Sequence, residues 1–275
     1  MRTLVGTSAG AILAFLVSLG MTSNEVQAWL VEHLRTGDMS SLDAEGLFDF
    51  AERLGVDDGE RMLGCMRSTL HARGVTEPDP TFLQLAKHTG KNLVVCAANL
   101  TLVRQEFFCV DTTPDVSVLL AVRMSFGVPV LFTPIFHRGC CYVDGGLFDN
   151  CPVDYLARPD APHGGAALAL SISFKTPVYK PDRVEEPEEI GPAKYFCMLL
   201  RAMFIRANSA VTNETPHTRT TVVDISPPED DALQTMWRAF SFDDFGFRLD
   251  ETFVSCHVQH GYTTLRDALE PAPSV

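Results

Sequence analysis

Thr3-Leu-Val-Gly-Thr-Ser-Ala-Gly-Ala-Ile-Leu-Ala-Phe-Leu-Val17 is the stretch on which the reading of this chain turns. A short apolar run, the small-residue cluster Gly6-Thr7-Ser8-Ala9-Gly10 and a second apolar run of helical length follow one another without a break. Strand, sharp turn and buried helix is the order these letters predict. A tight strand-to-helix turn crowds backbone atoms together, so small residues are expected on both sides of the serine. The turn lifts the Ser8 hydroxyl from the sheet edge. The following helix points its amino terminus at the same place, where its dipole and the Ala9 N–H stabilise developing negative charge. Gly6, Ala9 and Gly10 are the elbow and oxyanion candidates. A chance glycine-rich turn is the competing reading, because G-x-S-x-G without its surroundings is a weak signal.

The same segment also resembles a secretory leader. Arg2 precedes a stretch free of charge from Thr3 to Asn24, and Val26-Gln-Ala28 looks like a small-residue cleavage site. The glycines interrupt the apolar core that a leader needs unbroken, which favours the strand-turn-helix reading. The apolar run also falls well short of the roughly 20 residues of a spanning helix.

A serine nucleophile needs a base. Tyr142-Val-Asp144-Gly-Gly146 supplies a carboxylate after a short apolar approach, with two glycines that let the chain turn beside it. A carboxylate whose surroundings raise its basicity takes the serine proton directly. An ordinary Asp-Gly turn is the alternative at this position.

Between and beyond these two points the pattern alternates. A capping box at Thr22-Ser-Asn-Glu25 opens a helix to about residue 35. Helices are expected at about 44–54, 59–72, 81–87 and 116–124, and strands at 92–97 and 104–110 with a turn at 99–101. Further strands are expected at 166–174 and 220–225, helices at 193–208 and 250–269, and an exposed loop at 177–192. Strands interleaved with helices imply an α/β fold: one domain over 1–275, a three-layer α/β/α sandwich around a mostly parallel sheet.

The composition, 46% hydrophobic and 21% charged, supplies a sizeable core. A net charge of −13 repels nucleic acid and anionic lipid, so a lipid substrate is expected to be held by apolar contact. The eight cysteines form neither a CxxC spacing nor a compact framework. They read as reduced thiols in an intracellular setting, cytoplasmic with peripheral membrane contact.

Four blocks in this order resemble the patatin-like phospholipase family: Val5-Gly-Thr-Ser-Ala-Gly-Ala11, Thr81-Phe-Leu-Gln-Leu-Ala-Lys-His-Thr-Gly-Lys-Asn-Leu93, Arg123-Met-Ser-Phe-Gly-Val-Pro129 and Tyr142-Val-Asp-Gly-Gly-Leu-Phe-Asp-Asn-Cys-Pro152. The resemblance implies a Ser8–Asp144 dyad, an acyl-enzyme intermediate and an acyl-lipid or membrane-surface substrate, with no cofactor and no metal. Arg123, Ser125, Pro129, Gly145, Gly146, Asn150 and Pro152 are its supporting motif residues. It also implies a loop of the form G-G-G-x-[RK]-G ahead of the nucleophile strand, and these 275 residues begin at that strand. The oxyanion donor left within them is the Ala9 N–H, and a catalytically impaired lipid-binding protein is the non-enzyme alternative.

Histidine candidates come last. His257 and His260 follow Asp144 in the order of a Ser-Asp-His hydrolase, but both sit in a helical pattern. Cys256, His257 and His260 diverge on a helix and make poor joint metal ligands. The apolar run Lys194–Arg206 is read as a core-covering helix with cationic stems, or as a segment lying on a membrane surface.

Overall fold

The computed structural model describes residues 2–35, 53–157, 167–171, 199, 202–203, 220–224, 263–264 and 266. The chain divides into two compact units, Met1–Pro152 and Val153–Val275. Most of the expected helices at 44–54, 193–208 and 250–269, the loop at 177–192, and Cys256, His257 and His260 lie outside the described residues.

The first unit opens as its letters imply, with strand β1 (Thr3–Thr7) and helix α1 (Ala9–Ser18). Helix α2 (Ser23–Arg35) starts at the expected box, where Thr22 N–H donates to Glu25 Oε2 at 2.8 Å. Strand β2 (Gly55–Asp57) and helix α3 (Glu60–Ala72) follow. Trp29 Nε1 of α2 donates to Thr69 Oγ1 of α3 at 2.8 Å, which satisfies a buried indole and ties the two helices. Helix α4 (Phe82–Thr89) carries a second capping box between Thr81 and Gln84. Strands β3 (Asn92–Asn99) and β4 (Arg104–Phe108), helix α5 (Val118–Ser125), and strands β5 (Val130–Phe132), β6 (Ile135–His137) and β7 (Cys140–Asp144) complete the unit.

β3 organises the main sheet, whose path is β1-β3-β7-β6 with β4 also paired to β3. All eight positions of β3 are buried, so both faces of the sheet are covered there. That is the covered α/β sheet expected from the sequence, and α1, α4 and α5 all contact β3. The sheet is mixed rather than mostly parallel. β1 runs parallel to β3, whereas β4 and β7 pair with it antiparallel and β6 pairs antiparallel with β7. Chain length explains the β3–β4 and β6–β7 pairings: the links Leu100–Val103 and Arg138-Gly139 are hairpin lengths, and parallel neighbours need a long crossover. β2 and β5 form a separate parallel pair.

In the second unit, helix α6 (Val153–Ala157) is followed by strands β8 (Ala167–Ser171) and β9 (Thr220–Asp224), which pair parallel from Ala167 opposite Thr220 to Ser171 opposite Asp224. The long stretch between β8 and β9 in sequence is what permits parallel pairing.

Candidate active site

The sheet register brings two distant residues together. β1 ends with Thr7 opposite Cys96 of β3, and β7 ends with Asp144 opposite Ala97, the next residue of β3. β4 pairs with residues 95–99 of β3 and so occupies the other edge of that strand. β1 and β7 therefore share one edge of β3 and approach each other end to end. Ser8 leaves one strand where Asp144 leaves the other. Ser8 Oγ donates a hydrogen bond of 2.5 Å to Asp144 Oδ2 across 136 residues of sequence.

Ser8 has φ 56° and ψ −127°, a conformation that a non-glycine residue holds only under constraint. It occupies the cap position of α1, yet makes no side-chain cap hydrogen bond among the described residues. Its hydroxyl is turned toward Asp144 instead. The first N–H groups of a helix have no carbonyl within the helix to bond. Ser8 O accepts from Ala11 N–H at 2.9 Å, and the Ala9 and Gly10 N–H groups stay at the mouth of α1, where an anion is favoured. Ala9 is exposed and Ser8 and Gly10 half-buried, so this face is open to solvent.

Gly6 is required by space. A Cβ there would stand 2.3 Å from Gly10 O and 2.6 Å from Ala11 Cα. Gly10 differs from the expectation of crowding on both sides of the serine: a Cβ at Gly10 meets nothing within 4 Å. The close approach of strand to helix is made at Gly6, and Gly10 contributes its backbone to that approach.

Asp144 is fully buried. Desolvation pushes its carboxyl up to about 7, against the lowering effects of the Ser8 hydroxyl and the Gly146 N–H. Oδ1 accepts from Gly146 N–H at 2.8 Å, which closes the turn Gly145–Leu147 and leaves Oδ2 for Ser8. Gly145 is required by space as well, since a Cβ there would lie 2.5 Å from Cys96 O and 2.8 Å from Thr7 Cγ2. Burial, reinforced by the nearby Asp149 and Asp144 carboxylates, raises the Cys96 thiol far above neutrality, so it stays protonated beside the pair.

A half-buried serine bonded to a fully buried carboxylate joins two of the four sequence blocks, and a family model covers the same stretch. The model for patatin-like phospholipases matches residues 2–157, more than half of the chain. The chain belongs to this family. It is 29% identical over 180 residues to the protein named Probable lipid hydrolase 463L of Invertebrate iridescent virus 6, covering 63% of this chain and 61% of that one. It is 28% identical over 174 residues to Uncharacterized protein YqhO of Bacillus subtilis (strain 168), covering 55% of each. The chain thus spans 55–61% of the length of these curated relatives. Among solved structures, VipD from Legionella pneumophila aligns over 98% of this chain and 61% of its own, at 14% identity and a TM-score of 0.47.

The remaining motif residues of this patatin-like chain divide into those that touch the pair and those that support it. Ser125, fully buried in α5, accepts the Ser8 N–H at 2.9 Å and donates to Cys96 O at 2.6 Å. Arg123 lies on the other side of the helix and is 1% exposed. Nε donates to Asp58 O at 2.8 Å and Nη2 to Thr133 O at 2.7 Å, while the guanidinium carbon stands 5.3 Å from the Phe126 ring and 5.1 Å from the Phe132 ring. Desolvation lowers its pKa to about 10, which still leaves it charged at neutral pH. Half-buried Pro129 precedes β5, while half-buried Asn150 and buried Pro152 lie just ahead of α6.

Two contacts had no sequence signal. Gly127 O accepts the Asp144 N–H at 2.9 Å, and Cys96 O receives the Ser125 hydroxyl. Both use backbone carbonyls, which any residue would supply. Among the described residues no group of three or more His, Cys, Asp or Glu side chains is placed to hold a metal ion, and Cys65, Cys96, Cys140 and Cys141 form no disulfide.

Proposed function

We propose that this chain hydrolyses acyl esters of lipids, with Ser8 as nucleophile and Asp144 as general base. Ser8 Oγ attacks the ester carbonyl as Asp144 Oδ2 takes its proton, and the Ala9 N–H stabilises the oxyanion at the mouth of α1. The intermediate collapses to an acyl-serine, and the departing alkoxide takes the proton from Asp144. Water then attacks the acyl-serine, giving its proton to Asp144, and Ser8 recovers that proton as the fatty acid leaves.

The 2.5 Å hydrogen bond from Ser8 to a fully buried carboxylate carries this reading. A carboxylate with its pKa in the usual range is a poor base for a serine hydroxyl. One pushed up to about 7 is matched to neutral pH and needs no histidine between the two groups. Family membership and the name of the viral relative support a lipid ester as substrate. No described helix is long and apolar enough to cross a membrane, and peripheral contact of a cytoplasmic protein with a membrane surface fits the proposed substrate.

Fluorophosphonate labelling and lipid-ester turnover test the proposal. Wild type is expected to label at Ser8, Ser8→Ala to lose label and turnover, and Asp144→Ala to lose turnover. His257→Ala and His260→Ala are expected to retain most activity. A histidine variant as damaged as Asp144→Ala would replace the dyad by a triad. Wild type with neither label nor turnover would make the chain a binding protein of the same fold.

A further inference from the structure

We propose that the carboxyl-terminal turn of α5 is the gauge that sets the distance between Ser8 and Asp144, and that Ser125 is its positioning residue. The inference rests on the Ser8–Asp144 reading and concerns how that pair is held. Two backbone N–H groups, one from each member of the pair, end here, on the last residue of α5 and on Gly127 two residues beyond it. Ser8 N–H donates to Ser125 Oγ at 2.9 Å, and Asp144 N–H donates to Gly127 O at 2.9 Å. The acceptors are two residues apart on one short piece of chain, so covalent geometry limits their separation and the hydrogen-bonded end of α5 holds it. Residues more than a hundred positions apart thereby acquire a common local ruler.

The direction of the Ser125 contact is forced. A hydroxyl has one proton, and that of Ser125 is committed to Cys96 O at 2.6 Å. Its oxygen is then left to accept, and Ser8 N–H is the donor aimed at it. Cys96 is the β3 residue opposite Thr7, so the relay returns to the strand alongside which Ser8 emerges. The constraint has work to do, because Ser8 holds φ 56°. A residue there relaxes to a common conformation unless its surroundings over-determine it, and relaxation would swing Oγ away from Asp144.

The gauge is itself anchored. Arg123, two residues before Ser125, is bonded to Asp58 O and Thr133 O and sits against the Phe126 and Phe132 rings. Residues two apart on a helix point to nearly opposite sides. The R-x-S spacing therefore grips the β2–α3 connection and the residue after β5 on one side, and the nucleophile on the other.

Ser125→Ala and Ser125→Thr test this. Ser125→Ala keeps the small volume and removes the hydroxyl, while Ser125→Thr restores it. For Ser125→Ala, kcat is expected to fall about 100-fold with KM unchanged, and the rate of fluorophosphonate labelling to fall in parallel. Ser125→Thr is expected to recover most of the loss. A crystal structure of Ser125→Ala is expected to show Ser8 Oγ beyond hydrogen-bonding distance of Asp144. Normal kcat in Ser125→Ala, with Ser8→Ala and Asp144→Ala inactive, would overturn the gauge and leave the dyad standing. A lower melting temperature with unchanged kcat would also overturn it. If Ser8→Ala instead retained turnover, the dyad reading would fail, and the Ser125→Ala structure would still decide the gauge. An undisturbed Ser8–Asp144 contact in that structure overturns it.

Discussion

Ser8 stands at φ 56° at the head of a helix it does not cap, while Asp144 stands at φ −50° and caps its own turn through Gly146 N–H. Ser8 is half-buried, with Ala9 exposed beside it, whereas Asp144 is fully enclosed. Both donate their backbone N–H to acceptors at the end of α5, but only Asp144 also closes its own turn. As the proposed nucleophile, Ser8 must face a substrate and therefore cannot be locked by burial, so its geometry depends on backbone strain and borrowed hydrogen bonds. As the proposed base, Asp144 needs a dry environment to become basic, and the burial that raises its pKa also immobilises it. Openness is bought at one end with strain, and basicity at the other with desolvation.

The largest effect should come from breaking the base arm. Asp144→Asn is expected to reduce turnover by roughly 10,000-fold or more, on the scale at which losing a catalytic group is felt. The same variant should gain stability at alkaline pH. The folded pKa is raised to about 7 from 3.8. Its contribution to stability is therefore full below about pH 4 and lost as pH rises through about 7, and asparagine suffers no such loss. Thermal melts of both proteins at pH 5 and pH 9 check this, with a variant advantage expected at the higher pH.

Crowding gives the next effect, and both arms should show it. Gly6→Ala would place a Cβ 2.3 Å from Gly10 O, and Gly145→Ala would place one 2.5 Å from Cys96 O, both against backbone that cannot yield cheaply. Each is expected to cost about 3 kcal/mol or more in chemical denaturation.

Titration separates the arms more finely. The proposed mechanism requires Asp144 ionised, so kcat/KM should fall about tenfold per pH unit below its pKa near 7. A pH–rate profile on a soluble ester reads it, and an acid limb near pH 4 would show that burial does not tune this carboxylate.

The smallest effect sharpens the comparison. Gly10→Ala, where a Cβ meets nothing within 4 Å, is expected to change stability by less than about 1 kcal/mol, again by denaturation. A large loss would show that the elbow is crowded on both flanks after all.

Legibility followed sequence distance. The elbow could be read because strand, turn and helix are contiguous and each has its own local signal. The capping boxes at Thr22 and Thr81 were equally plain, since a box spans four residues. β2, β5 and β6 escaped notice because each has three residues, too few for alternation to show. The mixed direction of the main sheet is not legible, because apolar content marks a strand without indicating which neighbour it will pair with. Gly10 was grouped with Gly6 because the motif pairs them, although space constrains only Gly6.

What the sequence determined by itself was the chemistry on offer: a serine in an elbow, an aspartate before two glycines and, through the four blocks together, the family. Residue identity and short-range geometry suffice for that. Tertiary structure alone decided that β1 and β7 meet end to end on β3, that Asp144 is stripped of water, and that the end of α5 holds the N–H of both residues. A carboxylate's basicity depends on the dielectric around it, and a hydrogen bond on a few tenths of an ångström. Both arise from packing between segments well separated in sequence, which no local pattern records.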